Sequence, residues 1–168
     1  MLFTRDKMNS KIKITTIQND YNGKTMFDSI ASDLMIDETF SLMDESGTME
    51  TTLYGNAVIS GDTYRLKYKE ADDSGMDNVS TTIKFKVDAP ECVTLIRTGD
   101  VSSIMYFEAG KRDISVYNSG VFPFEVCIYT VSLDNRLITD GYFEVCYIVE
   151  IKGAQAQKTI LRLETTSI

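Results

Sequence analysis

From Thr48 to Ser167 apolar and polar residues alternate with a period of two, broken at close intervals by turn residues. Thr63–Glu70 places Tyr64, Leu66 and Tyr68 on one face and Arg65, Lys67 and Lys69 on the other. Val79–Val87 repeats the scheme, with Ile83, Phe85 and Val87 set against Lys84 and Lys86. Such alternation predicts strands with one face toward a core. Further strands are predicted at Thr48–Ser60, Cys92–Thr98, Val101–Glu108, Lys111–Asn118, Pro123–Leu133, Arg136–Lys152 and Gln155–Ser167. Gly55 interrupts the first of these and predicts a bulge or a corner bend. The punctuating turns fall at Gly61-Asp62, Ala71–Asn78, Ala89-Pro90, Gly99-Asp100, Ala109-Gly110, Asn118–Gly120, Asp134-Asn135 and Gly153-Ala154. Connections this short join antiparallel neighbours, so the chain runs up and down and closes into a barrel of eight to ten strands.

Upstream the pattern changes. A strand is predicted at Lys11–Gln18, where Ile12 and Ile14 alternate with lysines, followed by a turn at Asp20–Lys24. Phe27, Ile30, Ala31, Leu34 and Met35 then recur at helical spacing, and Thr25 with Asp28 resembles a capping box. The organisation expected is a tail over 1–10 and one barrel domain over 11–168, with a short helical, acidic insertion over 25–47. The insertion is expected to be peripheral to the barrel.

A chain of 168 residues fits a single domain. At this length folding hides roughly 70% of the unfolded surface, enough for a core without metal or disulfide. The three cysteines, Cys92, Cys127 and Cys146, lie in apolar strand patterns. Met1–Ser10 lacks the apolar stretch of an export signal, so the expectation is a cytoplasmic protein with three reduced, buried thiols. No basic residue lies between Lys24 and Arg65, whereas Asp28, Asp33, Asp37, Glu38, Asp44, Glu45, Glu50 and Asp62 do. Elsewhere 17 basic residues balance 17 acidic ones, so this stretch carries the net charge of −8. Such a balance argues against nucleic-acid and anionic-membrane partners.

Candidate chemistry is sparse. With no histidine the commonest general base is missing, and the cysteines have no evident activator. Asp72, Asp73 and Asp77 lack calcium-loop spacing, and Gly99-Asp100 and Ala109-Gly110 are turn glycines without a phosphate cradle. Glu144 and Glu150 share a strand face; partners for arginines are the expected role, ahead of a catalytic pair. No catalytic residue, metal or cofactor is expected. The arginines are more informative. If the turns at Gly99-Asp100 and Ala109-Gly110 are two-residue hairpins, Arg112 shares a face with Met105, Phe107, Ile114 and Val116. Arg97 then falls on the opposite side with Ile104 and Tyr106. The first face is the more apolar, which makes Arg112 the expected inward arginine, needing a carboxylate, carbonyls or a ligand anion.

The segments Tyr64–Glu70 (YRLKYKE), Ser80–Phe85 (STTIKF), Val93–Val101 (VTLIRTGDV) and Met105–Tyr117 (MYFEAGKRDISVY) resemble successive strands of a known family. So do Phe122–Thr130 (FPFEVCIYT) and Gly141–Ile151 (GYFEVCYIVEI). The family is the bacterial domain-of-unknown-function family nineteen thirty-four, a calycin-like β-barrel related in shape to lipocalins and fatty-acid-binding proteins. The most specific piece is R-T-G followed by M-x-F-E-x-G-x-R. The resemblance implies the barrel fold and a bacterial cytosolic setting, and it brings no assigned activity or catalytic residues. The chain departs from the family at the 25–47 insertion and in the turn after Tyr117. The function expected is therefore non-enzymatic binding of a small, largely apolar molecule, with or without an acidic head group, through Arg112, Arg97, Met105, Phe107 and Tyr117. The alternative is a filled barrel that interacts through its outer surface.

Overall fold

The computed structural model describes residues 7–21, 47–71, 76, 78–151, 154 and 156–168. Ten strands follow one another in the chain: β1 (Met8–Tyr21), β2 (Thr48–Ser60), β3 (Thr63–Lys69), β4 (Val79–Lys86) and β5 (Ala89–Gly99), then β6 (Ser102–Phe107), β7 (Arg112–Asn118), β8 (Pro123–Arg136), β9 (Tyr142–Ile151) and β10 (Ala156–Ser167). Each pairs antiparallel with its sequence neighbours, and β1 returns to pair with β10, closing the barrel. The closing ladder runs from Ser10 opposite Ser167 to Tyr21 opposite Ala156. Closure leaves no strand edge to be capped or to aggregate.

Alternation decides what fills the ring. Ile12, Leu66, Ile83, Leu95, Phe107, Phe143 and Leu163 are almost completely buried and belong to one continuous core. Tyr64 stacks on Phe85 at 4.8 Å between ring centres, and Phe107 reaches Tyr147 on β9 at 5.0 Å. At roughly 25 cal/mol per Å² of apolar area, each of these side chains contributes about 1.5–3 kcal/mol when taken from water.

Several expectations shift by a few residues. β1 starts at Met8, inside the predicted tail. Gly55 makes no bulge: it stays in register between Ser10 and Tyr68, and a Cβ there would lie 2.6 Å from the Lys67 carbonyl and 2.8 Å from Ile12 Cδ1. The irregularities sit instead at Phe85/Lys86 and Thr130/Ser132. Ala89-Pro90 begins β5, and Asp134-Asn135 continues β8. The β8–β9 connection is the single turn of helix α1 (Leu137–Asp140), closed by Gly141 at φ 67°, where a Cβ would strike the Thr165 carbonyl at 2.5 Å. The helix expected within 25–47 lies outside the described residues. No described helix is long and apolar enough to cross a membrane.

The largest correction concerns register. Arg97 pairs with Ser103, so the β5–β6 loop holds three residues, beginning at Gly99 with φ 122°. The Ala109-Gly110 turn forms as expected, with the Lys111 N–H donating to the Glu108 carbonyl at 3.0 Å. β6 and β7 then diverge and meet only at Ser102–Asn118 and Ser103–Tyr117, one residue away from the register that the turn would set. A slip of one residue turns a strand over. Arg97 consequently faces inward, while Arg112, Ile114 and Val116 face out, the last two 54% and 55% exposed.

Substitution can separate the two registers. Met105→Ala should cost about 2–5 kcal/mol of unfolding free energy, as for a buried side chain that leaves a cavity. Ile114→Ala should stay within about 0.5 kcal/mol, as at an exposed position. Urea unfolding measures both; a large loss at Ile114 would restore the register in which the two share the interior.

Candidate functional site

Three rows of inward side chains cross the wall from β3 toward β7. The first is Tyr64–Phe85–Val93–Phe107 and the second Leu66–Ile83–Leu95–Met105, all apolar but for one phenol. The third is Tyr68–Thr81–Arg97–Ser103–Tyr117, polar at every position. The interior thus grades from apolar to polar along the strands, and Arg97 stands in the middle of the polar row. Glu70, at the end of β3, accepts a hydrogen bond of 2.5 Å from Thr81 Oγ1.

Arg97 acts on the facing wall as well. Burial pushes the phenols of Tyr68 and Tyr147 well above the ordinary range, and the positive charge of Arg97 pulls both back. Tyr64, deeper in the apolar end and away from that charge, is pushed up to about 12 by burial. The Arg97 guanidinium, two phenols and the hydroxyls of Thr81 and Ser103 therefore converge on one part of the interior. None of the ion pairs among the described residues includes Arg97.

Five buried side-chain polar atoms have no hydrogen-bond partner among the described residues: Arg97 Nε, Ser103 Oγ, Asp113 Oδ2, Ser115 Oγ and Thr130 Oγ1. A sixth, Thr159 Oγ1, lies beside the Tyr147 phenol and acts on it as a hydrogen-bond donor. Strand parity places all six on the inner wall. Ser103 pairs with Arg97, Asp113 and Ser115 follow the parity of Tyr117, and Thr130 and Thr159 both pair with the inward Tyr147. Buried polar atoms normally find partners, and leaving one without costs on the order of 1–3 kcal/mol. The five unpartnered atoms lie on the inner face of β5–β8 and leave donors and acceptors to spare there.

Asp113 holds the seam where β6 and β7 part. Burial raises its pKa, and the backbone N–H groups of Ile114 and Tyr106, donating to the carboxylate, offset part of that rise. The Tyr106 contact gives a β6 donor a partner where the ladder is interrupted.

Of the residues expected at the site, Arg97 and Tyr117 lie in the polar row, and Met105 and Phe107 lie inward in the packed apolar rows. Arg112 does not join them. It pairs with Tyr129 on the outer face, where Cys127, Tyr129, Ile148 and Ala156 form a second apolar cluster. Its charge acts there on Cys127, whose thiol burial pushes up to about 11. Cys127 and Cys146 are buried free thiols, whereas Cys92 is exposed, contrary to the expectation that all three are buried. Glu144 has the structural role expected of it, accepting from Arg162 Nε and Tyr142 Oη, each at 2.8 Å. The Asp72–Asp77 loop lies outside the described residues except for Met76. Sequence reasoning missed Thr81, Ser103, Asp113, Ser115, Thr130 and Thr159. A small hydroxyl in a strand reads as neutral filler, and only the three apolar-to-polar rows would have flagged the group.

These features define a closed ten-stranded antiparallel barrel whose inner face turns polar toward one end. The chain belongs to the family described as Domain of unknown function (DUF1934), whose model matches residues 35–163. The match begins inside the segment read as an insertion and leaves β1 outside, although β1 closes the barrel. The crystal structure of the ywiB protein from Bacillus subtilis is similar, with a TM-score of 0.62 and 16% identity over 95% of this chain and 93% of that one. At that identity the likeness concerns the fold alone. No curated protein matches the chain.

The Asp113 seam has a pH signature. The folded protein keeps the Asp113 proton to higher pH than the unfolded chain does, so its contribution is most favourable below about pH 3.9 and is lost as pH rises through the folded value. Asp113→Asn should therefore raise the melting temperature at neutral pH, with the gain shrinking toward pH 3 to 4. A loss at neutral pH, or a gain that ignores pH, would contradict the burial of this carboxylate.

Proposed function

We propose that the protein is a non-enzymatic binder of a small acidic molecule, held by Arg97 at the polar end of the barrel interior. The observation that carries this reading is the unpartnered Arg97 Nε, outside every described ion pair, on an inner wall that also holds the unpartnered atoms Ser103 Oγ, Asp113 Oδ2, Ser115 Oγ and Thr130 Oγ1. Arg97 is half-buried, with its Nε shut off from water and unpartnered. An arriving carboxylate or phosphate would supply both a counter-charge and acceptors for Arg97 Nε and the serine and threonine hydroxyls. Barrels of this size either fill with side chains or enclose one small ligand. Here the apolar rows are filled by Phe85, Phe107, Phe143, Leu66 and Leu95. The expected ligand is correspondingly compact and polar, with its acidic group dominant, and a long apolar tail has little room beside these rings.

Thermal-shift measurements with a panel of small carboxylates and phosphomonoesters, each with its neutral amide or alcohol as control, test the proposal. At least one anion should raise the melting temperature of the wild-type protein while its neutral counterpart does not. Arg97→Met should abolish the shift and itself melt no lower than wild type, since it removes a half-buried charge outside every described ion pair. If Arg97→Met loses about 3–5 kcal/mol, as when one half of an internal pair is removed, and no anion shifts the wild type, Arg97 is a structural residue.

A further inference from the structure

The outer face of β2–β5 carries a basic groove of about 790 Å³, lined by Lys7, Arg65, Lys67 and Lys84 together with Asn56, Val58 and Ile96. In sequence these cations alternate with apolar residues and look dispersed. Pairing brings them together: Arg65 stands directly opposite Lys84, and Lys67 lies one outward position along β3. None of the four cations has an ion-pair or hydrogen-bond partner among the described residues. By contrast, the neighbouring Lys86 is taken by Asp62 at 2.8 Å and Lys13 by Glu50 at 3.6 Å.

Two further observations bear on what the groove is for. Like charges directly opposite each other on adjacent antiparallel strands destabilise a sheet, so the Arg65–Lys84 pair works against the fold. A local rule broken without a compensating contact is the mark of a functional surface. Large aromatic side chains also flank the track on both sides. The outward row from β6 to β2 reads Tyr106, Thr94, Lys84, Arg65, Val58, and Tyr106 is 54% exposed. On the other flank Tyr54 of β2, 65% exposed, pairs with Lys11 of β1.

We infer that this face binds single-stranded nucleic acid. Arg65, Lys67 and Lys69 recur at every second residue of β3, about 6.8 Å apart, a spacing comparable to that of successive phosphates along an extended single strand. Tyr106 and Tyr54 offer flat faces on which unstacked bases lie, the combination of cationic track and aromatic platform that single-strand binders use. Paired bases of a duplex present no such faces. An anionic lipid surface would need a band of apolar side chains beside the cations, and of the groove's lining residues only Val58 and Ile96 are apolar. The net charge of −8 argued against this partner, yet Lys7, Arg65, Lys67 and Lys84 gather positive charge in this groove, and the field a ligand meets is that of the face it approaches.

Fluorescence anisotropy with a labelled oligouridine of about 20 nucleotides, and its deoxythymidine counterpart, tests the inference at about 50 mM salt, where phosphate contacts are strongest. Wild-type protein should bind one or both, with affinity falling steeply as salt rises. Lys84→Glu places an opposite charge across from Arg65, so this variant should melt at or above the wild-type temperature while binding at least about tenfold more weakly. Tyr106→Ala and Tyr54→Ala should each weaken binding severalfold, and Lys111→Glu, at the β6–β7 turn, should leave it unchanged. Absence of binding at low salt, indifference to Lys84→Glu, or equal competition by duplex or by polyglutamate would overturn the single-strand assignment.

Discussion

The pairing of β1 with β10 is the constraint on which the rest of the molecule depends. It turns an up-and-down sequence of strands into a ring, so every inward residue faces others across a shared interior and no strand is left with a free edge. Inside a ring, register has an all-or-none character. Shifting one strand by one residue exchanges its apolar and polar faces, and the core of Ile12, Leu66, Leu95 and Phe143 tolerates no such exchange. The two irregular ladders, at Phe85/Lys86 and Thr130/Ser132, show where the ring accommodates extra residues while its inner face remains consistent.

Within that ring the interior is graded. Aromatic and branched side chains pack one part to exclusion of solvent, and the third row turns polar at every strand from β3 to β7. Arg97 stands half-buried in these surroundings, with its Nε closed off from water and without a hydrogen-bond partner. Tyr68 and Tyr147 feel the Arg97 charge, and Ser103 and Thr130 hold hydroxyls with no partner among the described residues. The site is rigid where it borders the packed rows and weakest at the β6–β7 seam, where the ladder keeps two residue pairs and Asp113 supplies a side-chain substitute. A small molecule entering the polar end would meet donors fixed on continuous strands, a setting that holds geometry better than loops.

Much of this was legible in the sequence. Alternation in Thr63–Glu70 and Val79–Val87 gave the strands, their inward faces and the barrel class, because period two is insensitive to small errors in turn position. The orientation of the arginines was not legible, and the reason is specific. Gly99 was read as part of a two-residue turn, whereas the loop holds three residues, and the divergence of β6 from β7 has no signature in either strand. Each discrepancy is one residue, and one residue is enough to exchange Arg112 for Arg97. The outer basic groove was hidden for a related reason: alternation disperses Arg65, Lys67 and Lys84 along the chain, and only cross-strand pairing gathers them. Cys92 lies in a strand like the other cysteines, but close to the start of β5, where it is exposed.

The central claim is that Arg97 faces the polar part of the barrel interior and takes its partner from outside the chain. A high-resolution crystal structure of the protein grown with the anion that most raises its melting temperature tests this most directly. The account predicts an acidic group within hydrogen-bond distance of Arg97 Nε, with Ser103 or Thr159 contributing a hydroxyl. Arg97 bonded instead to a carboxylate of the protein, with no space beside it and Arg112 turned inward, would contradict it.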